Sequence, residues 1–188
     1  MMRRKIGVSD TTKKEVYSWF KSIVFAFIVA FICRHFLFSP AIVYGESMLP
    51  TFQEHDRLLV SKVSDVQRFD LIVFNAPDSD ERYIKRVIGL PGDQVEMKDD
   101  TLYINGNAME EPYLEDIKKD LLLDKLTGDF TLEELTGQSV VPDGALFVMG
   151  DNRLHSKDSR FFGPIPISSL IGEVKLQIYP LREIGMPK

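Results

Sequence analysis

Arg82-Tyr83-Ile84-Lys85-Arg86-Val87-Ile88 runs directly into Gly89-Leu90-Pro91-Gly92-Asp93. The first stretch is rich in aromatic and β-branched residues and has strand length, and the second carries the residues of a tight reversal. A strand over Tyr83–Ile88 closed by a turn is therefore predicted. Runs of the same kind recur at Ile42–Tyr44, Leu58–Val60, Leu71–Phe74, Val95–Met97, Leu102–Ile104, Leu146–Met149 and Val174–Tyr179. Asn105-Gly106 is a strong two-residue hairpin signal because both turn positions need positive φ, and Pro142-Asp143-Gly144 marks another turn. Only Glu115–Leu126 and Thr131–Leu135 break the rhythm with short helical patterns, closed by Gly128 and Gly137. The body reads as all-β, with a small β-rich lobe inserted at about 92–140.

The N-terminal part differs in kind. Tyr17–Phe38 reads YSWFKSIVFAFIVAFICRHFLF. At about 1.5 Å rise per residue it spans roughly 33 Å, enough to cross a hydrocarbon core. Its uninterrupted apolar core, Ile23–Cys33, is short, but Lys21 and Arg34 can snorkel and Tyr17 and Trp19 suit the interface. Residues 1–16 then form a basic tail, 17–38 a transmembrane anchor and 39–188 the body. Most of the basic residues precede the core, which by the positive-inside rule leaves the N-terminus cytoplasmic and the body outside. A cleavable secretory signal is the alternative, with Ser39-Pro40-Ala41 as its small-residue site. Against it, bulky Phe36-Leu37-Phe38 follows the apolar core.

Charge is unevenly spread. Residues 1–38 hold seven Lys/Arg against two Asp/Glu, leaving 16 against 26 for the rest, so a basic head precedes a body of net −10. Such a body offers no phosphate-binding surface, and nucleic acid is not expected as a partner. The single cysteine, Cys33, lies in the apolar segment, so the body has no disulfide and no thiol nucleophile. His35, His55 and His155 form no ligand-spaced pair, so neither a metal nor another cofactor is expected.

Two residues in the body form a candidate chemical pair. Ser47 lies in Gly45-Glu46-Ser47-Met48-Leu49-Pro50-Thr51, nine residues past Phe38. A serine hydroxyl needs a base before it becomes a nucleophile. Strand alternation puts Tyr83, Lys85 and Val87 on one face, so Lys85 shares apolar company that can depress its pKa. A free lysine titrates near 10.4, and basic function near neutrality requires a depression of about 2–3 units. Arg86, on the other face, stays exposed or pairs elsewhere. Each motif also has a plain reading: Ser47 as a helix N-cap, Lys85 as an edge-strand charge. A third segment, Gly150-Asp151-Asn152-Arg153-Leu154-His155-Ser156-Lys157-Asp158-Ser159-Arg160, is too polar for a half-buried strand and reads as a loop held by Asp–Arg pairs.

In content, order and spacing these three motifs resemble the type I signal peptidases, the bacterial Ser/Lys enzymes that remove leader peptides from exported proteins. The resemblance covers roughly Phe38 to the C-terminus. It implies coiled antiparallel sheets forming a catalytic core with a variable inserted cap, and a single-pass protein of the bacterial cell membrane. It implies Ser47 as nucleophile and Lys85 as general base, with Ser156 orienting the base and Asp158 and Arg160 forming a supporting salt bridge. The backbone N–H of Ser47 is the first candidate for an oxyanion donor. Some members add a hydroxyl two residues before the nucleophile; Gly45 stands there, leaving the second donor open. An extended leader peptide in a cleft lined by Val43, Met48, Phe52, Tyr83 and Ile84 would present small residues at the first and third positions before the cut. The expected partners are secretory signal peptides and the lipid bilayer; the oligomeric state is left open. Three rivals are a Ser47–His155–Asp triad, a self-cleaving repressor-type protease and a non-catalytic anchored β-domain.

Overall fold

The structure, a computed structural model, describes residues 10–120 and 125–187, and the chain divides after Phe38 into two compact units. In the first unit Asp10–Ile32 form a 23-residue helix, α1, continued by a π-helical turn over Cys33–Leu37. The helix begins before the expected Tyr17 because no Gly or Pro interrupts residues 10–16. Trp19 is 74 % exposed, and Phe20, Phe25, Phe27 and Phe31 project from the helix uncovered. A helix that is apolar around its circumference is suited to hydrocarbon. Glu15–Leu37 is long and apolar enough to cross a membrane.

The second unit consists of two antiparallel sheets. The larger contains β1 (Phe38–Ile42), β2 (Arg57–Ser61), β3 (Leu71–Asn75) and β4 (Arg82–Gly89). The next four strands, β5 (Val95–Lys98), β6 (Thr101–Ile104), β7 (Asn107–Met109) and β8 (Phe130–Thr131), form the smaller sheet in the order β7-β6-β5-β8. The chain then returns to the larger sheet through β9 (Ala145–Met149), β10 (Ile165–Pro166) and β11 (Leu170–Tyr179). Its strand order is β1-β2-β11-β3-β4-β9-β10. The mainly β architecture with an N-terminal apolar helix agrees with the sequence reading.

The differences have local causes. The first strand lies at Phe38–Ile42, not at Ile42–Tyr44. It is an edge strand, where Pro40 can sit without breaking a ladder. Beyond it, Val43 N–H donates to Asp56 O and Gly45 turns the chain at φ +78°. Asn105 and Gly106 both take positive φ and close the β6–β7 hairpin as expected. Of the helical pattern at Glu115–Leu126, the structure has a helix, α2, over Glu115–Asp120, and residues 121–124 lie outside the described residues. A third helix, α3 (Leu132–Thr136), starts at a Thr131–Glu134 capping box and stops at Gly137 in the left-handed region.

The inserted sheet shares its core with the larger one. Val95, Met97, Leu102, Ile104, Phe130 and Leu132 pack in one cluster with Ile88, Phe147 and Met149 of β4 and β9. A second tie is ionic: Arg153, in the loop after β9, pairs with Glu111 at 2.5 Å, and both side chains are buried. Tyr113 donates its hydroxyl to the same carboxylate at 2.7 Å. Removing one partner of such a pair strands a buried charge, so Arg153→Ala should lower stability by about 3–5 kcal/mol. Urea midpoints should show this loss, and the double replacement Glu111→Leu/Arg153→Met should recover much of it.

Candidate active site

Strand β4 is built to present Lys85. Its register against β3 sets Lys85 opposite Ile72, and Tyr83, two residues back, brings its ring centroid to 5.3 Å from Nζ. Lys85 is 3 % exposed. Burial lowers its pKa from 10.5 to about 8, although the carboxylates of Asp158 and Asp151 pull in the opposite direction. At pH 7 such an amine is neutral about one time in eleven, against about one in three thousand for a pKa of 10.5. The Nζ lies 2.6 Å from Ser47 Oγ and donates a further hydrogen bond to Ile84 O at 3.1 Å.

Ser47 sits in a turn fixed from two sides. Leu49 N–H donates to Glu46 O and Phe52 N–H to Met48 O within the turn. Met48 and Phe52 anchor it by inserting into a core with Leu58, Val60 and Val73. From across the cleft Asn152 donates its backbone N–H to Ser47 O at 3.1 Å and its side-chain amide to Glu46 O at 3.0 Å. Ser47 is not a helix N-cap, since no helix begins in this turn.

The loop after β9 joins these parts through Asp151. Its fully buried carboxylate receives two hydrogen bonds from Arg86, at 2.9 and 2.7 Å, and one from Thr51 at 2.5 Å. Arg86 is therefore buried, paired, and capped by the Tyr113 ring at 3.8 Å. The exposed alternative for Arg86 does not hold. Gly150 has no room for a side chain: a Cβ there would lie 2.2 Å from Ser156 Oγ and 2.5 Å from Ser47 O.

Asp158 and Arg160 form a bidentate pair, at 2.9 Å twice. Burial would raise the pKa of Asp158, but Arg160 and the Gly150 N–H outweigh it and hold the carboxylate below its usual range. Ser156 departs from expectation. Its Oγ is buried without a hydrogen bond of ordinary geometry and makes none to Lys85; its nearest influence is on Asp158, whose ionised form it favours. Its side chain packs against the backbone of Gly150.

A cleft of roughly 790 Å³ opens over Ser47 and Lys85, with Val43, Met48, Tyr83 and Ile84 on its lining. Phe52, expected among them, is fully buried in the core beneath. His155 is exposed on the cleft wall, while the group bonded to Ser47 Oγ is Lys85. Among the described residues no three of His, Cys, Asp and Glu gather as a metal-binding group. Thr51, Glu111 and Tyr113 were not legible as site residues. No local pattern marks them, because their partners Asp151 and Arg153 lie 100 and about 40 residues away in the sequence.

The family model described as "Signal peptidase, peptidase S26" matches residues 16–179. The chain is 47 % identical over 173 residues to signal peptidase I of Bacillus caldolyticus, covering 90 % of this chain and 92 % of that one. It is 44 % identical over 195 residues to signal peptidase I T of Bacillus subtilis, covering 98 % of each. A crystal structure of a signal peptidase I from Enterococcus faecalis matches with 47 % identity and a TM-score of 0.57, over 59 % of this chain and 97 % of that one. With the match running through most of the N-terminal apolar helix and nearly all of the β body, the chain belongs to the S26 signal peptidase family.

Proposed function

We propose that this protein is a membrane-anchored serine endopeptidase that removes N-terminal leader peptides from exported preproteins, with Ser47 as nucleophile and Lys85 as general base. The observation that carries the reading is the 2.6 Å contact between Ser47 Oγ and a lysine amine whose pKa burial lowers to about 8. Membership of the signal peptidase family supplies the substrate class.

The neutral Lys85 amine takes the Ser47 hydroxyl proton as Oγ attacks the scissile carbonyl. The oxygen of the tetrahedral intermediate is met by the backbone N–H of Ser47. The lysine ammonium then gives its proton to the departing amine of the mature protein. A water, deprotonated by the Lys85 amine, then attacks the acyl carbon; the bond to Ser47 Oγ breaks, the leader leaves as its carboxylate, and Lys85 returns the proton to Oγ. Asp158, Arg160 and Ser156 support the loop that flanks the base. The Asp158 carboxylate is committed to Arg160 and Gly150, which limits its power to reprotonate Lys85.

The substrate lies extended in the cleft. Pairing between β4 and β9 begins at Arg86, so Arg82–Lys85 keep one strand edge unpaired by β9. A peptide backbone added there presents alternate side chains to Val43, Met48, Tyr83 and Ile84, leaving space only for small residues one and three positions before the cut. The apolar helix holds the enzyme in the lipid bilayer as a single pass, N-terminus cytoplasmic, with the catalytic domain at the outer face of the bacterial cell membrane. Leaders tethered to the same membrane are thereby concentrated near the cleft.

In detergent, the full chain should cleave a preprotein at one site. Ser47→Ala and Lys85→Ala should each reduce kcat/KM by about 10³-fold or more, whereas His155→Ala should leave it within a few-fold. Survival of activity in Lys85→Ala with loss in His155→Ala would replace the lysine by the histidine. Because the base must be neutral, kcat/KM should rise with pH through a midpoint near 8, the pKa of Lys85. A leader carrying Phe in place of Ala just before the cut should be processed at least about 100-fold more slowly. Equal rates would rule out small pockets.

A further inference from the structure

A second ionic contact crosses the cleft wall, away from the residues assigned above. Lys157 lies between buried Ser156 and Asp158, yet its own side chain is exposed and pairs with Asp78. Asp78 belongs to the turn between β3 and β4, which Ala76 N–H closes by donating to Glu81 O at 2.9 Å. The pair thus links the loop after β9 to the tip of the hairpin that carries Lys85. Tyr83 and Lys157 line the same cleft, and Lys157, with the Tyr83 hydroxyl more weakly, holds the Asp78 carboxylate below its usual range. The Tyr83 ring stands edge-on to Phe74 and faces Lys85 Nζ.

We propose that Lys157 and Asp78 form a strap that holds the Tyr83 ring over the Lys85 amine and keeps water from it. Both are positioning residues: neither touches the reacting atoms, and each acts through Tyr83. The assignment rests on Lys85 being the base. Desolvation is the largest influence on that amine, opposed by Asp158 and Asp151, so a cover that thins lets it regain its proton. Glu46, His155, Asp80, Glu81 and Arg82 also line the cleft, but all are exposed and screened by solvent.

The sign of the effect separates a strap from direct electrostatics. As simple charges, Asp78→Asn would lower the Lys85 pKa and Lys157→Ala would raise it. Loss of a strap raises it in both. The test uses the full chain in detergent with a leader peptide. Both single variants should move the acid limb of the kcat/KM profile to higher pH by about 0.5 unit, roughly a threefold loss of neutral amine below the midpoint. Lys157→Arg, and the exchange Asp78→Lys/Lys157→Asp, should restore it. Trace labelling of Lys85 by a neutral acylating reagent, mapped by mass spectrometry, reads the same titration without turnover. An acid shift, or none, in Asp78→Asn overturns the strap. Absence of cleavage by the unaltered chain would count against the peptidase reading, while the labelling would still decide the strap.

Discussion

The Asp151 carboxylate is where the three separated motifs become one site. It accepts from Arg86, the residue after Lys85, and from Thr51, four residues after Ser47, while itself starting the loop that leads to Asp158. A fully buried carboxylate is costly without compensation, and two charge-assisted bonds from one guanidinium are the strongest compensation available to it. The requirement is mutual. Arg86 is equally dry, so neither group has water to fall back on, and the relative placement of β4, the serine turn and the loop is fixed to within hydrogen-bond tolerance. The contact between Ser47 Oγ and Lys85 Nζ depends on that placement, because nothing within either motif holds the other.

The same carboxylates that organise the site also threaten its chemistry. Asp151 and Asp158 both favour the charged form of Lys85, and desolvation overcomes them only because each is already engaged by an arginine. The arrangement separates two functions that a single carboxylate next to the lysine would confuse. Arg86 and Arg160 absorb the negative charge, and apolar cover acts on the amine. A hydroxyl such as Ser156, which carries no charge, can pack beside this set without shifting the balance.

Much of the fold was legible in the sequence because it is encoded locally. Short β-branched and aromatic runs marked the strands from β2 to β6, and Asn105-Gly106 the β6–β7 turn, since these depend on a few adjacent residues. β8 and β10 were not legible: each is two residues long and exists only through a partner strand elsewhere. The edge strand at Phe38–Ile42 was obscured by Pro40, whose tolerance depends on the absence of a neighbour. Within the site, Ser47 and Lys85 were legible from motif and face. The Arg86–Asp151 and Arg153–Glu111 pairs span 65 and 42 residues of sequence, and no local pattern announces such distant partners. Phe52 was misplaced for a related reason, since strand and turn patterns identify an apolar residue without saying whether it meets the cleft or the core.

The position of Lys85 along β4 reconciles two demands that oppose each other. A dry amine requires close packing, whereas the proposed base must be reachable by a peptide. β3 pairs with β4 along Arg82–Arg86, but β9 joins it only from Arg86 onward and turns away at Gly150. Lys85 is therefore the first residue past the fork where one neighbouring strand leaves. On one side it keeps the sheet and its apolar cover; on the other, the edge that β9 vacates is open to another backbone. One residue further along, at Arg86, the side chain is enclosed and serves structure. Two residues back, at Tyr83, it is half-buried and part of the wall. At the fork a lysine is both dry and next to a free strand edge. The close approach that Gly150 permits is what lets the departing chain turn back toward Ser47 there.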